Sequence, residues 1–229
     1  MSYKKILKIM ASHLNLEKLE RIIAYPIHQK FFISENVKNF KNKEAFWDGI
    51  VDSIGKEEDL TYVEFGVWTG VSLKYFLKKF NNRSSKFIGL DSFEGLPEKW
   101  GNFKIKTFDT EGNLPKINDE RLKFVKGLFQ NTSDVLFNLL QSLKSKKLLV
   151  HFDADLYTST LFCLTQLDRL DKDYYVFFDE FTGHESRALS DYIKSFNSKF
   201  KIISQVNNRK GYDGYPDKMF GKIIHRKNL

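Results

Sequence analysis

The sequence contains a single cysteine, Cys163, in 229 residues. One thiol excludes an internal disulfide framework and cannot build a thiolate metal site, which needs several sulfurs. Long apolar runs are missing as well. None approaches the roughly 20 residues of a membrane-spanning helix, and the opening stretch MSYKKILKIMASHLNLEKLE carries charges through any signal-like core. These absences lead to the expectation of a cytoplasmic protein without stable membrane insertion. Internal repeats and low-complexity segments are lacking too. No basic-aromatic motif of the recognised nucleic-acid-binding kinds occurs, so nucleic acid is not an expected partner.

What is there belongs to an ordinary globular chain, with 41% hydrophobic and 29% charged residues. The length suits one domain carrying an N-terminal extension. The net charge of +8 is unevenly spread. Residues 194–229 hold 9 Lys/Arg against 2 Asp/Glu, while residues 57–193 hold 18 against 21. A basic tail is either a solvated surface or an attractor of an anionic acceptor such as a nucleotide-linked sugar.

From residue 60 onward, short apolar runs alternate with amphipathic stretches. LTYVEF, KFIGLD, LKFVKG, KLLVHFD, YYVFFDE, KFKIISQV and MFGKIIH read as strands. Helical patterns fall at 71–80, 132–143, 156–170 and 185–196, the last with Leu189, Ile193 and Phe196 on one face. This alternation predicts an α/β, Rossmann-like fold with a mostly parallel, seven-stranded sheet covered on both faces. The last two strands lack an intervening helix and are expected to form an antiparallel hairpin. Class I methyltransferases share that arrangement. The expected division is a helical cap or extension over residues 1–56, serving the active site or a homodimer contact, and a methyltransferase domain over residues 57–229.

The first strand ends in YVEFGVWTGVS, which puts Gly66 and Gly70 in the following turn but lacks the middle glycine of a GxGxxG fingerprint. Glycine there permits a positive φ and close approach of a ligand. Asp91 ends the second strand, where a doubly wound fold binds ribose hydroxyls, or else it caps the turn-rich DSFEGLP. Glu64 would repel a pyrophosphate and tolerate the cationic amino-acid end of S-adenosylmethionine, which favours a methyl donor over NAD. Farther along, two apolar strands each end in an acidic pair: Asp153 with Asp155, and Asp179 with Glu180. Parallel strands present their C-terminal ends at one edge, so four carboxylates are expected in one crevice. Such a cluster calls for a compensating cation. Its hard oxygen donors suit Mg²⁺ or Mn²⁺, unless the acids merely cap helices.

The stretches EFGVWTGVS, GLDSFEGLPEKWG, VKGLFQNT, HFDADLYTST and FFDEF resemble, in order, the macrocin-type sugar O-methyltransferase family. The likeness spans roughly residues 60–190 and implies methylation of a sugar hydroxyl with S-adenosylmethionine and Mg²⁺. Carried over residue by residue, it implies Asp153, Asp179 and Glu180 as metal ligands and Asp155 as general base. Glu64, Gly66 and Asp91 match cofactor contacts, and Ser92 and Phe93 follow in the same turn. The family usually has two aspartates where this chain has Asp179-Glu180, and DKDYY replaces its glycine pair before that strand.

Chemically, methyl transfer from a sulfonium needs an oxygen that loses its proton as it attacks. Asp155 is the expected acceptor of that proton, with a metal stabilising the alkoxide. His151 reads as a core histidine, whereas His184 is placed to meet substrate and is the alternative base. GYDGYPDK would form either a sugar-stacking lid or a plain loop. Two other functions stay open from sequence: methylation of a phenolic or lipid-linked acceptor, and a non-catalytic cofactor-binding module.

Overall fold

The computed structural model describes residues 32, 37–143, 145–181, 183–207 and 216–229. Most of the helical extension expected over residues 1–56, and GYDGYPDK apart from its last three residues, lie outside them. The described chain opens with strand β1 (Lys38–Phe40) and helix α1 (Lys43–Ile54). Then follow β2 (Leu60–Phe65), α2 (Val71–Lys79), β3 (Lys86–Asp91), β4 (Leu122–Lys126) and α3 (Phe129–Ser142). The remainder is β5 (Lys147–Phe152), α4 (Tyr157–Asp168), β6 (Tyr174–Phe178), α5 (His184–Phe196), β7 (Lys199–Val206) and β8 (Lys218–Ile224).

Among the described residues the strands form one 8-stranded sheet in the order β1-β7-β8-β6-β5-β2-β3-β4. Neighbouring strands are parallel except β8, which runs antiparallel to both β6 and β7. The sheet therefore has one strand more than the seven expected. Lys38–Phe40, read from sequence as part of a helical extension, pairs in parallel with Ser204–Val206. Three residues are too few to carry a recognisable strand period, so this edge was invisible in the sequence.

The central strands are buried on both faces, as a parallel sheet between helices requires. Side chains alternate between those faces. Val63, Phe65, Val150, Phe152, Val176 and Phe178 share a core with Leu136, Leu140, Leu164, Leu167 and Leu189 of α3, α4 and α5. Tyr62, Leu149 and Phe177 face the other way and pack with Phe46, Ile50 and Ile54 of α1 and Leu73 and Phe76 of α2. The expected face of α5 is seen: Leu189 is fully buried, and Ile193 and Phe196 pack on the first core. Helix α1 starts where Asn42 accepts the Ala45 N–H at 2.8 Å and stops at Gly55 with φ +99°. Gly49 lets Phe40 lie against the helix, since a Cβ there would sit 2.1 Å from the ring. This contact binds β1 to α1 and makes both integral to the sheet and its cover.

Candidate functional site

The C-terminal ends of five strands are stapled one residue beyond the ladder. Asp179 N–H donates to Phe152 O at 3.0 Å, Asp153 N–H to Phe65 O at 2.9 Å, Gly66 N–H to Leu90 O at 2.9 Å and Gly127 N–H to Asp91 O at 2.9 Å. These bonds run across β6, β5, β2, β3 and β4. They hold the first residue after four of those strands, and Asp91 at the end of β3, along one sheet edge. A cleft of about 450 Å³ opens there, within the range of roughly 300–1,000 Å³ usual for small-molecule sites.

Gly66, Asp91 and Ser92 line one part of this cleft. Gly66 has φ +87°, and a Cβ on it would lie 1.9 Å from the Asp153 carbonyl oxygen. Only glycine fits between β2 and β5 at that point. Gly70, in the left-handed conformation, starts α2 and faces Pro115 and Ile117 instead of the cleft. The turn-capping role foreseen for Asp91 is seen. Its Oδ2 accepts the Val67 and Trp68 N–H groups at 2.8 Å, and its Oδ1 accepts the Phe93 N–H at 2.7 Å. Three of about four lone-pair positions are thus used to shape the turn. One remains for a hydroxyl in the cleft.

Two expected cofactor contacts sit elsewhere. Phe93 is buried against Phe124 in the core, with ring centroids 5.9 Å apart. Glu64 is 0% exposed. It accepts from Tyr62 Oη at 2.5 Å and Ser72 Oγ at 2.7 Å and lies 3.3 Å from His151 Nδ1. Strand alternation explains the difference: Glu64 is paired in register with His151, and His151 with Phe177, so all three point toward α1 and α2 and away from the sheet edge. His151 stacks on Phe177 at 4.1 Å. Burial works against its protonated form, but the carboxylates of Glu64, Asp153 and Asp179 together raise its pKa.

The four crevice acids, Asp153, Asp155, Asp179 and Glu180, all line the cleft. Helix capping does not account for them, because α4 is preceded by Leu156 without a side-chain cap. His184 supplies that bond: its Nδ1 accepts the Tyr157 N–H at 3.1 Å, and it is not part of the cleft wall. Asp155 occupies the left-handed region, with φ 59°. Burial, then the charges of Glu180, Asp179 and Asp91, push its pKa up to about 7. Burial and the Asp179 charge raise Asp153 well above the carboxylate range.

Two further ionisable groups join the cluster, and neither was visible as a site residue in the sequence. Glu185, wholly buried on the first turn of α5, accepts the Glu180 N–H at 3.0 Å. Burial, then Asp153, raises its pKa strongly. Lys218, the first residue of β8, donates to the Asp179 carbonyl at 2.6 Å and lies 3.1 Å from Asp179 Oδ2. Burial would lower the Lys218 pKa, but the charges of Asp179, Asp217 and Glu180 together raise it.

The expected Mg²⁺ or Mn²⁺ set of Asp153, Asp179 and Glu180 does not fit this geometry. Asp179 Oδ1 is buried without a hydrogen-bond partner, as a ligand atom would be. Its other oxygen, however, is engaged by an ammonium group. Among the described residues, no three His, Cys, Asp or Glu side chains converge on a point that could hold a metal ion.

The opposite wall is aromatic. It comes from Trp68 and from residues 92–121, which link β3 to β4 without a helix or a strand of the sheet. Trp100 and Phe103 stack at 5.1 Å and 14°, and Phe108 packs edge-on to Trp68 at 5.4 Å. Trp68 is 48% exposed. Gly127, Leu128, Phe129 and Gln130 close the end beside β4. The motif VKGLFQNT contains these four, and a long structureless connection is itself a signal of function.

No family model and no curated protein matches the sequence. Solved structures do match the fold. An O-methyltransferase from Bacillus cereus in complex with SAH is 11% identical with a TM-score of 0.50, covering 95% of this chain and 96% of that one. A cofactor-bound protein, Rv0187 from MTB, is 12% identical with a TM-score of 0.50, covering 90% and 89%. The TDP-rhamnose 3'-O-methyltransferase CalS11 is 18% identical with a TM-score of 0.49, covering 79% and 77%. With the parallel sheet and its β7-β8 hairpin, the two likenesses with a TM-score of 0.50 give this chain a Rossmann-like methyltransferase fold.

Proposed function

We propose that the chain is an S-adenosylmethionine-dependent O-methyltransferase acting on a sugar hydroxyl. The observation that carries this reading is a single cleft joining the Gly66 turn and Asp91 to Asp155. The residues fit the methyl donor. The bare Cα of Gly66 leaves room at the turn, Asp91 retains an acceptor position for a ribose hydroxyl, and Phe129 offers a flat apolar surface. The Bacillus cereus protein of the same fold, an O-methyltransferase in complex with SAH, supports the choice of donor. Bound S-adenosylmethionine supplies an electrophilic methyl group on a sulfonium.

This chain's residues would then position the acceptor and take its proton. Trp100 and Phe103 present ring faces to the apolar side of a sugar. Asp155, titrating near 7, is ionised often enough at neutral pH to accept a proton and basic enough to hold it. Holding the hydroxyl in line with the methyl contributes through orientation. The sugar itself is supported by the five ordered motifs that resemble those of macrocin-type enzymes.

A second reading, a phenolic acceptor, is favoured by one observation. A carboxylate near pH 7 is better matched to a phenol, whose pKa is about 10, than to the far weaker acid of a sugar, and no metal-binding set is present among the described residues to narrow that gap. Calorimetry with S-adenosylmethionine and its demethylated product tests the donor; binding of NADH in their place would overturn it. Methyl-labelled turnover with nucleotide sugars, glycan fragments and simple phenols decides the acceptor. Donor binding without turnover on any panel would leave a non-catalytic module.

A further inference from the structure

The acid cluster contains a cation of its own. Strand β8 is antiparallel, so its first residue lies beside the C-terminal end of β6, at the same edge as the acids. Its entry is fixed from both sides: Phe181 N–H donates to Asp217 O at 2.7 Å, and Asp217 N–H donates to Val206 O at 2.6 Å. Lys218 is thereby held with its Nζ between the Asp179 carbonyl and carboxylate, at 2.6 and 3.1 Å. The two side chains are only 10% and 16% exposed. A lysine so placed has little freedom to swing out and admit a dication.

We propose that Lys218 is the resident counter-cation of the Asp153–Asp179–Glu180 cluster and that the site binds no divalent metal. The ammonium carries one positive charge on a covalent tether, donates to the Asp179 carbonyl and lies 3.1 Å from an Asp179 carboxylate oxygen that a metal would otherwise coordinate. It also repels a second cation at that position. Lys218 is therefore a positioning residue: it holds Asp179 and the turn that follows it, and through them the floor of the cleft beneath Asp155. A methyl transfer with this arrangement relies on Asp155 and orientation, without a Lewis acid. The inference deepens the methyltransferase reading of the same cleft, but its first test needs no turnover.

Titrating the full chain with Mn²⁺, followed by electron paramagnetic resonance and calorimetry, should show no saturable site at millimolar metal. Thermal melting should likewise be unmoved by Mg²⁺ or by EDTA. One tight site in the wild-type chain, or a Tm raised by Mg²⁺, would overturn the proposal. Lys218→Met should lower Tm by roughly 5–15 °C, because it strands a buried carboxylate. The same variant should gain a Mn²⁺ site that wild type lacks. Should Lys218→Met fail to fold, the pair Lys218→Met with Asp179→Asn removes both charges and should recover most of the lost Tm; no recovery would mean that the ion pair is not what Lys218 provides. If turnover is found, it should persist in chelator, and its loss in EDTA would refute the internal cation. If neither S-adenosylmethionine nor its product binds while the Mn²⁺ titration stays flat, the functional reading fails and the counter-cation stands.

Discussion

Asp155 combines a left-handed backbone with a carboxyl held near pH 7. Its folded-state pKa is raised above the unfolded value of about 3.9, so the folded chain binds the proton more tightly. Ionisation of Asp155 then lowers stability as pH rises from about 4 to 7, with the loss complete above that range. Asp155→Asn removes this slope and tolerates the positive φ. The variant should melt higher than wild type at pH 8, bind the methyl donor within a few-fold of wild type, and lose about 10²–10⁴ of turnover. Wild-type turnover by Asp155→Asn would dismiss it as the base. Gly66 presents the opposite case, a residue with no chemistry and no substitute. Gly66→Ala forces a methyl into the Asp153 carbonyl and should destabilise the fold by about 2–4 kcal/mol in urea unfolding. Both residues stood out in the sequence, because turn glycines and acids after apolar strands are local signals. Glu64 stood out equally and belongs to a buried network with Tyr62, Ser72 and His151. Sequence shows that a residue lies near a strand end; the side its chain faces follows from register.

At the scale of elements, the strands were legible because apolar runs bounded by turns survive almost any packing. The missed strand β1 derives its identity from β7, and the aromatic wall at 92–121 has no period to read. That connection is anchored at its far end by Arg121. Its guanidinium donates to Leu77 O at 2.8 Å and Phe80 O at 2.6 Å at the end of α2, and to Asp119 Oδ2 at 2.7 Å. Arg121→Ala leaves the α2 carbonyls uncapped and should lower stability by about 1.5–3 kcal/mol. Hydrogen bonding to Arg121 holds the Asp119 pKa below its ordinary value. This pair therefore adds stability above pH 4 that is lost as pH falls through the depressed pKa. Acid unfolding monitored by circular dichroism should show a smaller drop below pH 4 in Arg121→Ala than in wild type.

Across the whole molecule, the basic tail and the acidic middle found along the sequence turn out to face each other. Lys218 meets Asp179, Lys222 meets Asp173, Arg226 meets Asp168 and Lys227 meets Asp171. Cations engaged this way attract a distant anion weakly. The KM for an anionic acceptor should therefore stay within about twofold as ionic strength rises through the range where the Debye length falls from roughly 30 to 8 Å. A steep rise would return the tail to a steering role. Hydrophobic periodicity by itself determined the succession of strands and helices from residue 60 onward, the two buried faces of the sheet, and the gathering of strand-end acids at one edge, since these follow from side chains a few residues apart. Only the tertiary structure decided that a lysine near the end of the chain would lie among those acids. An antiparallel last strand carries Lys218 back to an edge 39 residues away from it in sequence, and no local pattern records where a distant strand inserts.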